Sequence, residues 1–166
     1  FMTYSGLVLS SWNSIAFWNT PLLPILYTSY SFLGGTAIIP IISIFTVSAD
    51  ELNTIGVVLW PLILGLLLGS GFLLFIYVYG MATSSVPARQ SVRILINGEK
   101  RWYFWIGVVL IGLFIPLLII SIPILGILSL QGVETTLLII ACINILIGGY
   151  VLRDMVLSCG LYGPPV

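Results

Sequence analysis

"TIGVVLWPLILGLLLGSGFLLFIYVYGM", residues 54–81, runs without one charged side chain. A bilayer crossing takes about 20 mainly apolar residues, so this stretch reads as a complete transmembrane helix with length to spare for tilt. The pattern repeats on either side of it. Residues 24–47, 102–125 and 135–157 form three further apolar runs, each long enough to span. Across its 166 residues the chain is 60% hydrophobic and 6% charged, with a mean hydropathy of +1.22. Soluble domains carry roughly 25% charged residues, so no water-facing surface can be built from this composition. Long apolar runs indicate helices rather than a barrel, whose strands alternate and read as short segments. The expected fold is an all-α integral membrane bundle of several transmembrane helices.

The chain opens on Phe1, and its first apolar stretch, residues 1–11, is too short to cross a bilayer. No charged segment or small-residue cleavage site marks it as a signal peptide. We read it as one truncated span followed by four complete ones. The whole chain 1–166 is then a single transmembrane domain, the C-terminal half of a longer polytopic subunit.

Each complete span holds helix disturbers. Pro40, Pro61, Pro116 and Pro123 each remove a backbone donor, and Gly34-Gly35 and Gly148-Gly149 thin the backbone. Gly65 and Gly69 form a small-xxx-small pair that allows close helix approach, or simply reflect how common glycine is in membrane helices. Successive loops alternate sides. Residues 12–23, 83–101 and the tail from Arg153 fall on one side, and the short loops 48–53 and 126–134 on the other. Arg89, Arg93, Lys100, Arg101 and Arg153 share the first side, while Asp50, Glu51 and Glu134 lie on the second. The positive-inside rule places the first side in the cytoplasm.

Within residues 83–101, "ARQSVRILING" sets Val92, Leu95 and Ile96 around a polar face. That spacing suits a short interfacial helix ended by Asn97-Gly98. Trp102, Tyr103 and Trp105 then open the next span as an aromatic belt. The basic loop reads either as a solvated connector or as a docking surface for a partner.

Several chemistries are excluded. There is no histidine, so no bis-histidine haem can be held, and zinc or iron sites have no ligand set. Cys142 and Cys159 lack a CxxC pattern. No span carries Asp, Glu, Lys or Arg near its centre, where such groups usually mark ion or proton routes. Asn144 reads as interhelical glue. Arg153-Asp154 reads either as a local ion pair with Arg153 snorkelling to water, or as Arg153 orienting a headgroup beside the glycine pair.

The polar exception is "YSGLVLSSWNSIAFWNTPLLP", residues 4–24. Tyr4 and Ser5 sit on the last turns of a helix, and Trp12, Asn13, Phe17, Trp18 and Asn19 follow in a loop at the membrane surface. Aromatic walls with hydroxyls and amides suit an amphipathic ring compound such as a quinone. An interfacial aromatic belt is the plainer reading.

This segment resembles the membrane subunit family of NrfD and polysulfide reductase, through Tyr4-Ser5-Gly6, Trp18-Asn19-Thr20-Pro21 and the small residues Ser31, Gly34, Gly35 and Ala37. Two further stretches are similar to the family in order and spacing: "FWIGVVLIGLFIPLLI", residues 104–119, and "GGYVLR", residues 148–153. The resemblance covers the chain as the C-terminal half of such a subunit. It implies a haem-free, quinone-interacting membrane anchor of a respiratory iron–sulfur or molybdoenzyme-type oxidoreductase in a prokaryotic cytoplasmic (inner) membrane. Its partners would be an iron–sulfur electron-transfer subunit and a catalytic redox subunit, besides membrane lipids and without nucleic acid. Its cofactor would be a non-covalent quinone, menaquinone or ubiquinone. Tyr4, Ser5, Trp12, Trp18 and Asn19 would then form the quinone site, and Arg89, Arg93, Lys100 and Arg101 the docking surface. Gly148, Gly149 and Arg153 would form a structural motif. The acidic Asp154 departs from the family pattern. Two rival readings are half of a secondary transporter with broken helices, and a purely structural membrane anchor.

Overall fold

The computed structural model describes residues 2–11, 18–46, 49–98, 101–124 and 133–159. All its regular structure there is helical. A short α1 (Met2–Ser10) precedes α2 (Leu22–Thr46), α3 (Ala49–Thr83) and the amphipathic α4 (Val86–Asn97). A π-helical segment (Tyr103–Phe114) runs directly into α5 (Ile115–Ile124), and α6 (Val133–Ser158) closes the order. Four helices among the described residues are long and apolar enough to cross a membrane: Leu22–Ser43, Thr54–Thr83, Tyr103–Ile122 and Thr136–Ser158. These coincide with the four runs expected from hydropathy. The chain is a multi-span α-helical membrane protein, and its surface agrees: Phe45, Val57 and Phe75 are 85%, 73% and 67% exposed. So much outward apolar area belongs in lipid rather than water.

The helix α2 holds the centre, packing against α1, α3 and α6, while α6 also lies along the π-helical segment and α5. Leu23, Leu26, Leu33 and Ala37 of α2 meet Ile63 and Leu67 of α3 and Ala141, Cys142 and Met155 of α6 in one buried core. Hydroxyls within the spans mostly satisfy themselves by donating to their own helix, as Ser43 does to the Ile39 carbonyl and Ser121 to the Leu117 carbonyl. Asn144 does the same, its Nδ2 donating to Ile140 O at 2.9 Å, which is a bond within α6 and not the interhelical one expected of it. An interhelical bond instead joins α2 to α3. Ser70 donates its one proton to Leu66 O at 2.7 Å, so Ser29 donates to Ser70 Oγ at 2.9 Å.

Two features were not anticipated. Residues 49–53, read as part of a loop, are the first turns of α3; Glu51 falls there, where the helix dipole favours negative charge. The other is the widened backbone ahead of Pro116, where the Ile115 N–H bonds back to Leu110 O. Proline cannot donate and its ring crowds the carbonyl four residues earlier. Widening the helix relieves that crowding. The helices α2 and α3, by contrast, run unbroken through Pro40 and Pro61, so neither is the discontinuous helix that the transporter reading needs.

Candidate functional site

The short helix α1 reaches the bundle because Gly6 has no side chain. A Cβ there would lie 2.8 Å from Pro24 Cα and 3.2 Å from Tyr27 Cβ, so any other residue would push α1 off α2. This close approach carries the two residues before it, Tyr4 and Ser5, to the seam between α2 and α6. Together with Val8, Leu9, Tyr27, Arg153 and Leu157 they line a cavity of about 400 Å³. Its walls are apolar except for two phenols, one hydroxyl and one guanidinium. Small-molecule sites share that design: an apolar body with a few convergent polar groups.

Tyr27 is the residue of this cavity that fold considerations alone do not explain. It is 4% exposed, yet its Oη is buried without a hydrogen-bond partner among the described residues. Its neighbours are satisfied: Thr28 donates to Pro24 O and Ser31 to Tyr27 O, each at 2.7 Å. A buried hydroxyl left unmet costs about 1–3 kcal/mol. Tyr4, at 68% exposed, stands at the mouth of the same cavity.

The remaining expected site residues divide by location. Trp18 does not line the cavity; its indole N–H donates to the Val156 carbonyl at 2.9 Å. That carbonyl belongs to the last turn of α6, whose acceptors have no partner within the helix. Trp18 thereby ties the loop to the end of α6, one residue from Leu157 of the cavity wall. Asn19 is exposed beside it, and Trp12 lies outside the described residues. Gly148 serves helix packing: a Cβ on Gly112 would fall 2.8 Å from Gly148 Cα, and one on Gly148 would fall onto Gly112 Cα. Gly107 likewise faces Val151, so residues 104–119 and 148–153 pack directly on each other. Gly149 instead sits beside the Tyr30 ring, and Arg153 projects into the cavity. No such small-residue role attaches to Gly65 or Gly69, which meet nothing within 4 Å.

The end of the bundle near the cavity is also the basic end. The Trp18–Val156 bond and the proximity of Leu22 to Gly80 bring the 18–21 loop, the end of α3 and the end of α6 together there, as loop parity required. The helix α4 packs on α3 and the π-helical segment through Ala88, Ser91, Val92 and Leu95, and ends at Gly98 as expected. Its outward face carries Arg89 and Arg93, both exposed. Arg101 lies over the Trp102 ring with its guanidinium carbon 5.3 Å from the centroid. Lys100 lies outside the described residues.

The family model for polysulphide reductase, NrfD, matches residues 1–164. This chain belongs to the NrfD family. The NrfD protein of Escherichia coli (strain K12) is 29% identical over 117 residues, covering 70% of this chain and 37% of that protein. The chain thus spans a little over a third of the length of the curated relative it matches. No solved structure matches it. As an NrfD-family membrane protein, it places the tyrosine and glycine of Tyr4-Ser5-Gly6 in separate roles: Gly6 seats α1, and Tyr4 faces the cavity.

Sequence reading missed Tyr27, Val8, Leu9 and Leu157. Tyr27 carried one usable signal: with Tyr30 it forms a Tyr-x-x-Tyr pair near the start of an apolar span, so both hydroxyls need partners at hydrocarbon depth.

Proposed function

We propose that this NrfD-family chain is the quinone-facing part of a haem-free membrane anchor in a prokaryotic cytoplasmic membrane. It would exchange electrons between the quinone pool and an iron–sulfur subunit, which in turn serves a catalytic redox subunit. The observation that carries this reading is the cavity at the α1–α2–α6 junction, where Tyr4, Ser5, Tyr27 and Arg153 line an apolar space and the buried Tyr27 hydroxyl has no partner among the described residues.

The fit to a quinone is chemical. Its flat apolar ring suits the Val8, Leu9 and Leu157 walls, and its carbonyl oxygens are the acceptors that Tyr27 lacks. A quinone bound there supplies two-electron, two-proton chemistry. Tyr27 would orient the ring by donating to one oxygen from a site shut off from water. Tyr4, at the exposed mouth, would hydrogen-bond the other oxygen and can exchange protons with the membrane surface. Arg153 would stabilise negative charge developing on the oxygens. Trp18 would hold the loop, and so the rim, against α6. Arg89 and Arg93 face outward at the same end, where a redox partner must dock if electrons are to travel a short way.

The test is Tyr4→Phe in the assembled complex. Quinone turnover is expected to slow while the complex assembles normally. Unchanged quinone kinetics would remove Tyr4 from the site.

A further inference from the structure

A second cavity, of about 300 Å³, runs deeper along the seam between α2 and α6. Its α2 wall extends from Tyr30 to Ile38 and its α6 wall from Ile145 to Arg153. At about 1.5 Å of rise per residue, each wall is roughly 12 Å long. We propose that this groove is a binding site for one glycerophospholipid, adjoining the quinone cavity at Arg153, which lines both.

The chemistry changes in order along the groove. Arg153 closes its outer end, towards the basic face of the bundle. About one helical turn deeper lies Gly149, against the Tyr30 ring. Tyr30 is 5% exposed, and its Oη is buried without a partner among the described residues. Deeper still, Gly34, Gly35, Ile38, Ile145 and Leu146 leave a wholly apolar trough. A phospholipid presents the matching series: an anionic phosphate, then ester carbonyls, then an acyl chain. The phosphate meets Arg153, an ester carbonyl accepts from Tyr30, and the acyl chain lies over the paired glycines. A hydrocarbon tail alone would leave Tyr30 unmet at a cost. The exposed Ile38 and Gly35 leave the groove open sideways towards lipid.

Gly35 provides a clean block. A Cβ there meets nothing within 4 Å, so a side chain at Gly35 starts into open space on the groove wall, and Gly35→Leu is the blocking variant. Tyr30→Phe removes only the donor, and breaks no bond among the described residues. The experiment exchanges the purified complex exhaustively into detergent, then extracts it and quantifies phospholipid and quinone per chain by mass spectrometry. Wild type is expected to retain phospholipid. Tyr30→Phe should retain about fivefold less, as the loss of one hydrogen bond implies, and Gly35→Leu should lose it altogether. Thermal unfolding gives a second readout. Tyr30→Phe should melt lower than wild type when phospholipid is present, and no lower after delipidation. Equal phospholipid retention in all three proteins would overturn the proposal. So would a retained quinone in place of phospholipid that is lost in the two variants. Neither result depends on quinone turnover at Tyr4 and Tyr27.

Discussion

Replacing Tyr27 by phenylalanine removes one oxygen atom and preserves the ring that fills the space between α1, α2 and α6. In the protein alone that oxygen bonds to nothing among the described residues, so its loss breaks no contact. Stability should stay within about 0.5 kcal/mol of wild type or rise, since an unmet buried hydroxyl is itself a cost. With a quinone in the cavity the balance reverses. The variant forfeits one neutral hydrogen bond, a net loss of about 1 kcal/mol, which is close to fivefold in affinity. The assay is quinol-driven reduction of the partner's clusters in the purified complex, with kcat and KM separated, alongside thermal unfolding of the same preparations. A KM raised about fivefold with unchanged melting is the predicted pattern. A melting temperature lowered by several degrees with unchanged KM would refute the reasoning, because Tyr27 would then be bonding within the fold.

Gly148→Ala should be among the most damaging small substitutions in the chain. Its Cβ would fall onto the backbone of Gly112, and separating the two helices costs about 1–3 kcal/mol or more. Yield and melting temperature check this, with Gly65→Ala as the control that meets nothing; equal behaviour of the two would show that the crossing is not tight. Reversing charge with Arg89→Glu and Arg93→Glu together should weaken retention of the iron–sulfur partner, most visibly at low salt. Each exposed ion pair contributes only about 0–1 kcal/mol, so partial loss is expected. Retention that matches wild type across a salt series would remove α4 from the docking surface.

Hydropathy made the four spans legible because crossing a bilayer sets a minimum length that composition alone reveals. Loop parity and the basic residues likewise identified the end of the bundle where α4, the 18–21 loop and the end of α6 gather. The amphipathic spacing of Val92 and Leu95 foretold α4, although its apolar face packs on the protein. The site was only half legible. Tyr4 and Ser5 stood out because they are polar in an apolar chain. Tyr27 did not, since a tyrosine inside a span reads as core until its hydroxyl is seen to lack a partner. The pairing of Gly112 with Gly148 was hidden for a different reason: each glycine is visible locally, but which helix it faces is a long-range fact. The π-helical widening before Pro116 was hidden too, because proline signals a disturbance without saying whether the helix kinks or widens.

The most direct measurement is purification of the protein in mild detergent through a tag on this subunit, with iron analysis and addition of a quinol. The account predicts an iron–sulfur protein in the purified complex, with clusters that the quinol reduces. A protein that remains alone and free of iron, under cross-linking conditions that preserve other membrane complexes from the same cells, would contradict it.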